Sequence, residues 1–263
     1  RSRRQRQMCI RDRCNTDGML LHAIDTGTGP GTVLLLHGMM GSSESWWRLI
    51  PPLAANGHRV IALDLPGHGL SERDPQLTIE QAAASVVETA RHLGAGHPLA
   101  AIGHSYGATV LAAAAEMLQP DLSVYVDAAL SLTGGHDRAA LTAQYARDRR
   151  ARLSPEDLLA SRPFYSAQDA EVEARAAALF DPATTASISC DTDHSWLPEA
   201  GSIVLRAEPS AWVSDDDARR FAANGADVRT IPGAAHTIWY SHFDAFPASL
   251  PELFGPPPPH PLS

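Results

Sequence analysis

The sequence predicts an α/β protein built on a doubly wound, mainly parallel sheet, with a helical cap inserted between strands. Three observations carry this. Short apolar runs lack the polar alternation of a half-exposed strand; helical patterns lie between them; and at residues 99–115, "LAAIGHSYGATVLAAAA", one run passes through a glycine-flanked turn straight into an alanine-rich helix. Continuous apolar runs suit strands covered on both faces, and the order β-α-β-α places a ligand site at the carboxyl ends of the strands. The 263 residues suit one α/β domain with an insertion about as well as two small domains, and nothing in the composition forces the second choice.

In chain order, strands are expected at 20–25, 32–36, 59–63, 99–103, 123–127, 202–206 and 227–231, with helices at 78–93, 106–118, 214–224 and 241–253. The core domain then comprises residues 19–133 and 202–255. From 134 to 201 the pattern is helical with no strand, and Ser154-Pro155-Glu156-Asp157 reads as an N-cap followed by proline at the first helical position. This stretch is the expected cap.

The two ends fall outside that scheme. Residues 1–18 are basic, show no helical or strand period and lack the apolar segment of a secretory signal. "MCIRDR" resembles translated sequencing-adapter sequence, so Met19 is the expected start, the alternative being a disordered basic arm. Residues 256–263, "PPPPHPLS", form a proline-rich tail that packs no core.

Composition excludes several chemistries. All 21 basic residues are Arg, so there is no lysine for a phosphate-binding loop, a Schiff base or nucleophilic catalysis. From Met19 onward 15 basic residues face 28 acidic ones, a net of −13, which argues against nucleic acid. The 44% hydrophobic and 19% charged fractions are those of a globular chain, and no run of about 18 apolar residues suggests a membrane partner. Cys9, Cys14 and Cys190 are odd in number and show no metal spacing, pointing to a reducing, cytoplasmic compartment. The twelve histidines form no zinc pattern, so neither metal nor other cofactor is expected.

The chemistry concentrates in the turn Gly103-His104-Ser105-Tyr106-Gly107. A nucleophile on a strained strand-to-helix turn needs flanking glycines because side chains have no room there, and it sits at a helix N-terminus whose amides favour negative charge. Ser105 is the candidate nucleophile. After the run Val33–Leu36 comes His37-Gly38-Met39-Met40-Gly41-Ser42, a loop able to supply one oxyanion-hole amide, from Met39; Tyr106 would supply the other.

The stretches "LLLHGMMGS", "ALDLPGHGLS", "AIGHSYGA" and "IPGAAHTIWYSHFDAF" together resemble the signature segments of the α/β-hydrolase superfamily, over roughly residues 19–254. The resemblance implies a Ser-acid-His triad in that chain order and a pocket beneath the cap. His236, in the loop after the last strand, is the expected base; His242 reads as a solvated helical face, and His37, His68 and His104 as structural. The acid departs from the superfamily's pattern. Its usual position aligns with Ser210, which cannot stabilise an imidazolium. Asp127, at the end of the preceding strand, is preferred; Glu208 and the Asp215–Asp217 run remain open, as does the absence of any acid. Ser214-x-x-Asp217 also has a purely structural explanation as a helix cap.

Met40, Trp46 and Trp239, with Phe164 and Trp196 from the cap, are candidate pocket residues, although some must simply be core. Their number favours an apolar substrate, since the cap's arginines look scattered and form no evident anion clamp. The expected activity is hydrolysis of a small-molecule ester or lactone by Ser105, His236 and Asp127. Carbon–carbon bond hydrolases, thioesterases and perhydrolases would keep the same residues, and a non-catalytic small-molecule receptor is the rival from another class. A serine at the elbow argues against haloalkane dehalogenase and epoxide hydrolase, whose nucleophile is Asp.

Overall fold

The computed structural model describes residues 18–255. The expected proline-rich tail and all of the expected N-terminal extension except Gly18 lie outside these residues. The strands are β1 (Ala23–Thr26), β2 (Gly31–Leu36), β3 (His58–Leu63), β4 (Ala100–His104), β5 (Leu122–Val126), β6 (Ser131–Leu132), β7 (His194–Ser195), β8 (Ile203–Glu208) and β9 (Asp227–Pro232). The helices are α1 (Ile50–Ala55), α2 (Ile79–His92), α3 (Tyr106–Leu118), α4 (Arg138–Arg150), α5 (Pro155–Ser161), α6 (Ala167–Leu179), α7 (Pro182–Ile188), α8 (Asp215–Ala223), α9 (Ile238–Ser241), α10 (Ala245–Ala248) and α11 (Pro251–Phe254), with one 3₁₀ turn at Ser43–Trp46.

Seven strands form one sheet in the order β1-β3-β2-β4-β5-β8-β9, parallel except for β1, which runs antiparallel on the edge. Two-residue periodicity sorts each apolar run onto two faces. Leu34, Leu36, Ile61, Leu63, Ala101 and Val204 pack with the helices α2, α3 and α8. Val33, Leu35, Val60, Ala62, Ile102 and Leu205 face the other layer, with Trp46, Leu49, Leu53, Trp239 and Phe246. Both faces are covered, which is why the runs carry no polar alternation.

Helix starts follow local capping chemistry. Thr78 and Gln81 form a capping box on α2, as Ser214 and Asp217 do on α8, and Ser154 caps α5 with Pro155 at its first turn. The segment expected as one helix over 241–253 is instead three short helices, because Pro247 and Pro251 lack amide hydrogens and interrupt the ladder. Between β5 and β8 the chain is largely helical, but it also contains the antiparallel pair Ser131↔Ser195 and Leu132↔His194. Two-residue strands carry no readable period. This excursion is tied to the loop after β2: buried Asp169 on α6 accepts hydrogen bonds from Trp47 Nε1 and Arg48, and Ser45 Oγ donates to Glu173 at 2.8 Å. No helix among the described residues is long and apolar enough to cross a membrane.

Asp64, just beyond β3, holds the loops around the sheet's carboxyl edge. Its carboxylate accepts from the Ser43 amide (2.6 Å), the Leu70 amide (2.9 Å) and His22 Nδ1 (2.8 Å). Burial alone would raise this carboxyl; the His22 bond, the nearby His37 and the two amides outweigh it and hold the pKa at about 2. A folded pKa below the unfolded value gives stability that is present above the unfolded pKa and lost as pH falls through the folded one. A depression from 3.8 to about 2 corresponds to roughly 2 kcal/mol. Asp64→Asn is therefore expected to lower the unfolding free energy by about that amount at pH 7. In denaturant titrations the gap between variant and wild type should shrink as pH drops below about 4.

Candidate active site

Ser105 joins β4 to α3 with φ 51° and ψ −118°, a left-handed conformation that a residue with a side chain adopts at a cost. Its amide donates to Val126 O at 3.0 Å, fastening the turn to the neighbouring strand. The flanking glycines are required by contact. A Cβ on Gly103 would stand 2.5 Å from Gly107 O, and one on Gly107 would stand 2.3 Å from Leu36 O. The elbow is thus pressed against the end of β2, where the loop containing Met39 begins. A Cβ on Gly38 would lie 3.3 Å from Ser105 Cβ, so this loop directly abuts the serine.

Met39 and Tyr106, the candidate oxyanion donors, flank the same space. The Met39 amide meets no acceptor among the described residues, while the Tyr106 amide, at the first position of α3, has none within its helix. His37 holds the loop from behind: Nδ1–H donates to Gly38 O at 2.8 Å and Nε2 accepts from the Leu65 amide at 3.0 Å. The second bond requires the neutral ring, and burial lowers its pKa despite Asp64 and the Gly38 bond. His68 donates to Pro66 O and packs between His37, Tyr106 and Phe180, where burial pushes it down to about 3. His104 donates from Nε2 to His236 O at 3.0 Å, and burial, reinforced by His236, holds it well below the ordinary value. All three histidines are buried, neutral packing groups.

His236 is different. Its ring is partly open to solvent, and Nδ1 donates to Asp127 Oδ2 at 2.7 Å. Asp127, also at positive φ (47°), is buried; its amide donates to Leu205 O, and Oδ1 accepts from the Ala207 amide (3.1 Å) and Ser210 Oγ (2.7 Å). Ser210, at the position where the superfamily pattern expects an acid, is thus hydrogen-bonded to Asp127. It also accepts from the Trp212 and Val213 amides, and the Trp212 ring lies 5.1 Å from His236. Glu208 is exposed, Asp215 pairs with Arg206, and Asp217 caps α8, so none of these carboxylates has His236 as a partner. His242 is half-buried, with Nδ1 3.2 Å from Ser241 Oγ.

Ser105, His236, Met39, Met40, Tyr106 and Trp239 line one cavity of about 850 Å³, within the range typical of small-molecule sites. Three expected pocket residues do not line it. Trp46 is fully buried in the core, stacked on Trp239 at 4.4 Å. Phe164 sits at the surface, edge-on to Tyr165. Trp196 stacks on His194 beside the short β6–β7 pair. Conversely, the helical side contributes Arg152 and Arg162, which look like scattered arginines in the sequence, and buried Glu173, which no sequence pattern singles out. Burial pushes Glu173 up, opposed by Arg152, by hydrogen bonds from Ser45 and Tyr240, and by Arg162. Among the described residues no three His, Cys, Asp or Glu side chains gather as a metal ligand set.

The chain belongs to the Alpha/beta hydrolase family, whose sequence profile matches residues 33–248. It is 34% identical over 95 residues to Methylesterase 8 of Arabidopsis thaliana, covering 35% of each chain. It is 32% identical over 132 residues to Esterase PIR7B of Oryza sativa subsp. japonica, covering 48% of this chain and 47% of that one. The 30 kDa subunit of magnesium chelatase from Rhodobacter capsulatus is 41% identical over 90 residues, 33% of this chain and 31% of the other. These matches span at most about half of the curated relatives. Among solved structures, a bromoperoxidase from Bacillus anthracis superposes with a TM-score of 0.72 at 18% identity, covering 89% of this chain and 94% of the other. The N-formylmaleamic acid deformylase of Pseudomonas putida S16 gives 0.70 at 19%, covering 88% and 96%. At such identities the likeness is one of fold.

The strain at Ser105 has a measurable signature. Ser105→Gly removes the hydroxyl and the Cβ while keeping the turn, so it should raise the unfolding free energy by about 1 kcal/mol in denaturant titrations. An unchanged or lower stability would show that the turn stores no strain.

Proposed function

We propose that the protein hydrolyses carboxylic esters or lactones of apolar small molecules through an acyl-enzyme, without a cofactor. The observation that carries this reading is the 2.7 Å bond from His236 Nδ1 to buried Asp127, at a cavity that also presents Ser105 and two donor-competent amides. Ser105 Oγ attacks the carbonyl carbon as its proton passes to His236 Nε2. The Met39 and Tyr106 amides receive the oxyanion, each worth about 10²–10³ in rate. His236 then gives the proton to the leaving oxygen, and a water activated by the same ring releases the acid. Asp127 keeps the proton on Nδ1, which leaves Nε2 unprotonated to act as the base, and it stabilises the imidazolium that forms. The apolar wall of Met39, Met40, Leu132 and Trp239 supports an apolar substrate body. A cytoplasmic setting belongs to the proposal, supported by Cys190 as a free thiol.

A fluorophosphonate probe should label Ser105, and a short-chain p-nitrophenyl ester should be turned over; Ser105→Ala should abolish both. Asp127→Asn should lower kcat by about 10⁴, because the neutral amide supports the wrong tautomer. Glu208→Gln should retain activity close to wild type. Loss of activity in Glu208→Gln together with a silent Asp127→Asn would transfer the acid's role to Glu208. Absence of both labelling and turnover in the wild type would leave a small-molecule receptor instead.

A further inference from the structure

We infer that the substrate carries a carboxylate besides its ester, and that Arg152 and Arg162 receive it on the helical side of the cavity. The inference rests on the hydrolase reading of Ser105 and adds a specificity site to it.

Arg152 lies in the turn that ends α4, its amide donating to Arg149 O, and Arg162 caps α5. Ten residues apart in sequence, the two side chains line the same cavity, each half-buried. Of the thirteen other arginines among the described residues, Arg48, Arg59, Arg175, Arg206, Arg219, Arg220 and Arg229 have carboxylate partners, and Arg91, Arg138 and Arg149 donate to backbone carbonyls. Arg152 and Arg162 have no carboxylate partner within ion-pair distance among the described residues. Arg162 donates only to its neighbour Ser161 Oγ at 3.0 Å and stands 5.8 Å over the Tyr165 ring. Burial pulls the Arg162 guanidinium down, and Arg152 adds repulsion. Two half-buried, mutually repelling cations facing one cavity are costly unless a counter-charge arrives.

Glu173 is the buried carboxylate of the cavity, already bonded by the Ser45 and Tyr240 hydroxyls. Asp148 and Asp157 line the cavity too, but both are exposed, where water and salt screen them. A carboxylate matches the planar guanidinium fork, which can bind both of its oxygens. Arg152 and Arg162 line the same cavity as Ser105 and His236, so a carboxylate held there belongs to the molecule that meets the serine. Met39, Met40, Leu132 and Trp239 remain to receive the apolar body of the same molecule.

The test compares esters that differ only in charge. One pair is the mono-p-nitrophenyl ester of adipic acid against p-nitrophenyl hexanoate; the other is p-acetoxybenzoate against its methyl ester. In at least one pair, wild type should favour the charged member by about tenfold or more in kcat/KM. The Arg152→Met/Arg162→Met double variant should bring that ratio close to one, whereas Arg150→Met, at the exposed end of α4, should keep it. No preference in either pair, or a preference that survives the double variant, overturns the inference. Calorimetric titration of adipate into Ser105→Ala provides a readout without turnover: binding should weaken with added salt and vanish when both arginines are replaced. If fluorophosphonate labelling fails, the hydrolase reading falls while this titration still decides the arginines. If the double variant fails to fold by circular dichroism, the single Arg152→Gln and Arg162→Gln variants must each lower the ratio, and unchanged ratios in both count against the site.

Discussion

The site depends on a steric constraint: the elbow after β4 has no room for side chains at Gly103 or Gly107. Any Cβ there would collide with backbone, at Gly103 with the first turn of α3 and at Gly107 with the end of β2. This close approach does three things together. It forces the intervening residue to positive φ, which lifts Ser105 out of the strand's plane. It brings the loop after β2, with its Met39 amide, against the serine. It also starts α3 at the next residue, so that the Tyr106 amide faces the same space. A strained residue persists only where its surroundings over-determine it, and here the surroundings are backbone on two sides and the Val126 carbonyl on a third.

The placement of the acid follows from strand register. Parallel pairing of Val126 with Leu205 sets the ends of β5 and β8 side by side, and the Asp127 amide continues the ladder to Leu205 O. A carboxylate at the end of either strand can therefore face the same histidine loop. Where the superfamily pattern expects an acid on the β8 side, this chain has Ser210, and the carboxylate that meets His236 is Asp127 on the β5 side. Ser210 braces that carboxylate. Its hydroxyl donates to Asp127 Oδ1, and its lone pairs fix the amides that carry Trp212 over the His236 ring. With the Ala207 amide on the same oxygen, Oδ2 is left to His236.

Much of this was legible in the sequence because it is local. The strands came from runs such as Val33–Leu36, the capped helices from Thr78, Ser154 and Ser214, and the elbow from its two glycines. Asp127 could be preferred over Glu208 because it ends a strand, although only coordinates show which carboxylate meets the ring. What escaped was set by distant contacts. Trp46 reads as a pocket aromatic until it is found stacked on Trp239, 193 positions later in sequence. Arg152 and Arg162 look like ordinary surface charges because α4 is polar almost all round, with Leu141 as its one buried residue. Their shared orientation depends on how the turn between α4 and α5 folds over the sheet. The β6–β7 pair is too short for any pattern to announce it.

The electrostatics of the histidines separate structure from chemistry more sharply than their positions do. His37, His68 and His104 crowd the elbow, yet burial lowers the pKa of each and outweighs their bonds to the Gly38, Pro66 and His236 carbonyls, which by themselves would favour the charged ring. His236 alone of the four combines a carboxylate partner with partial access to solvent. It can therefore become an imidazolium without stranding a charge in the core.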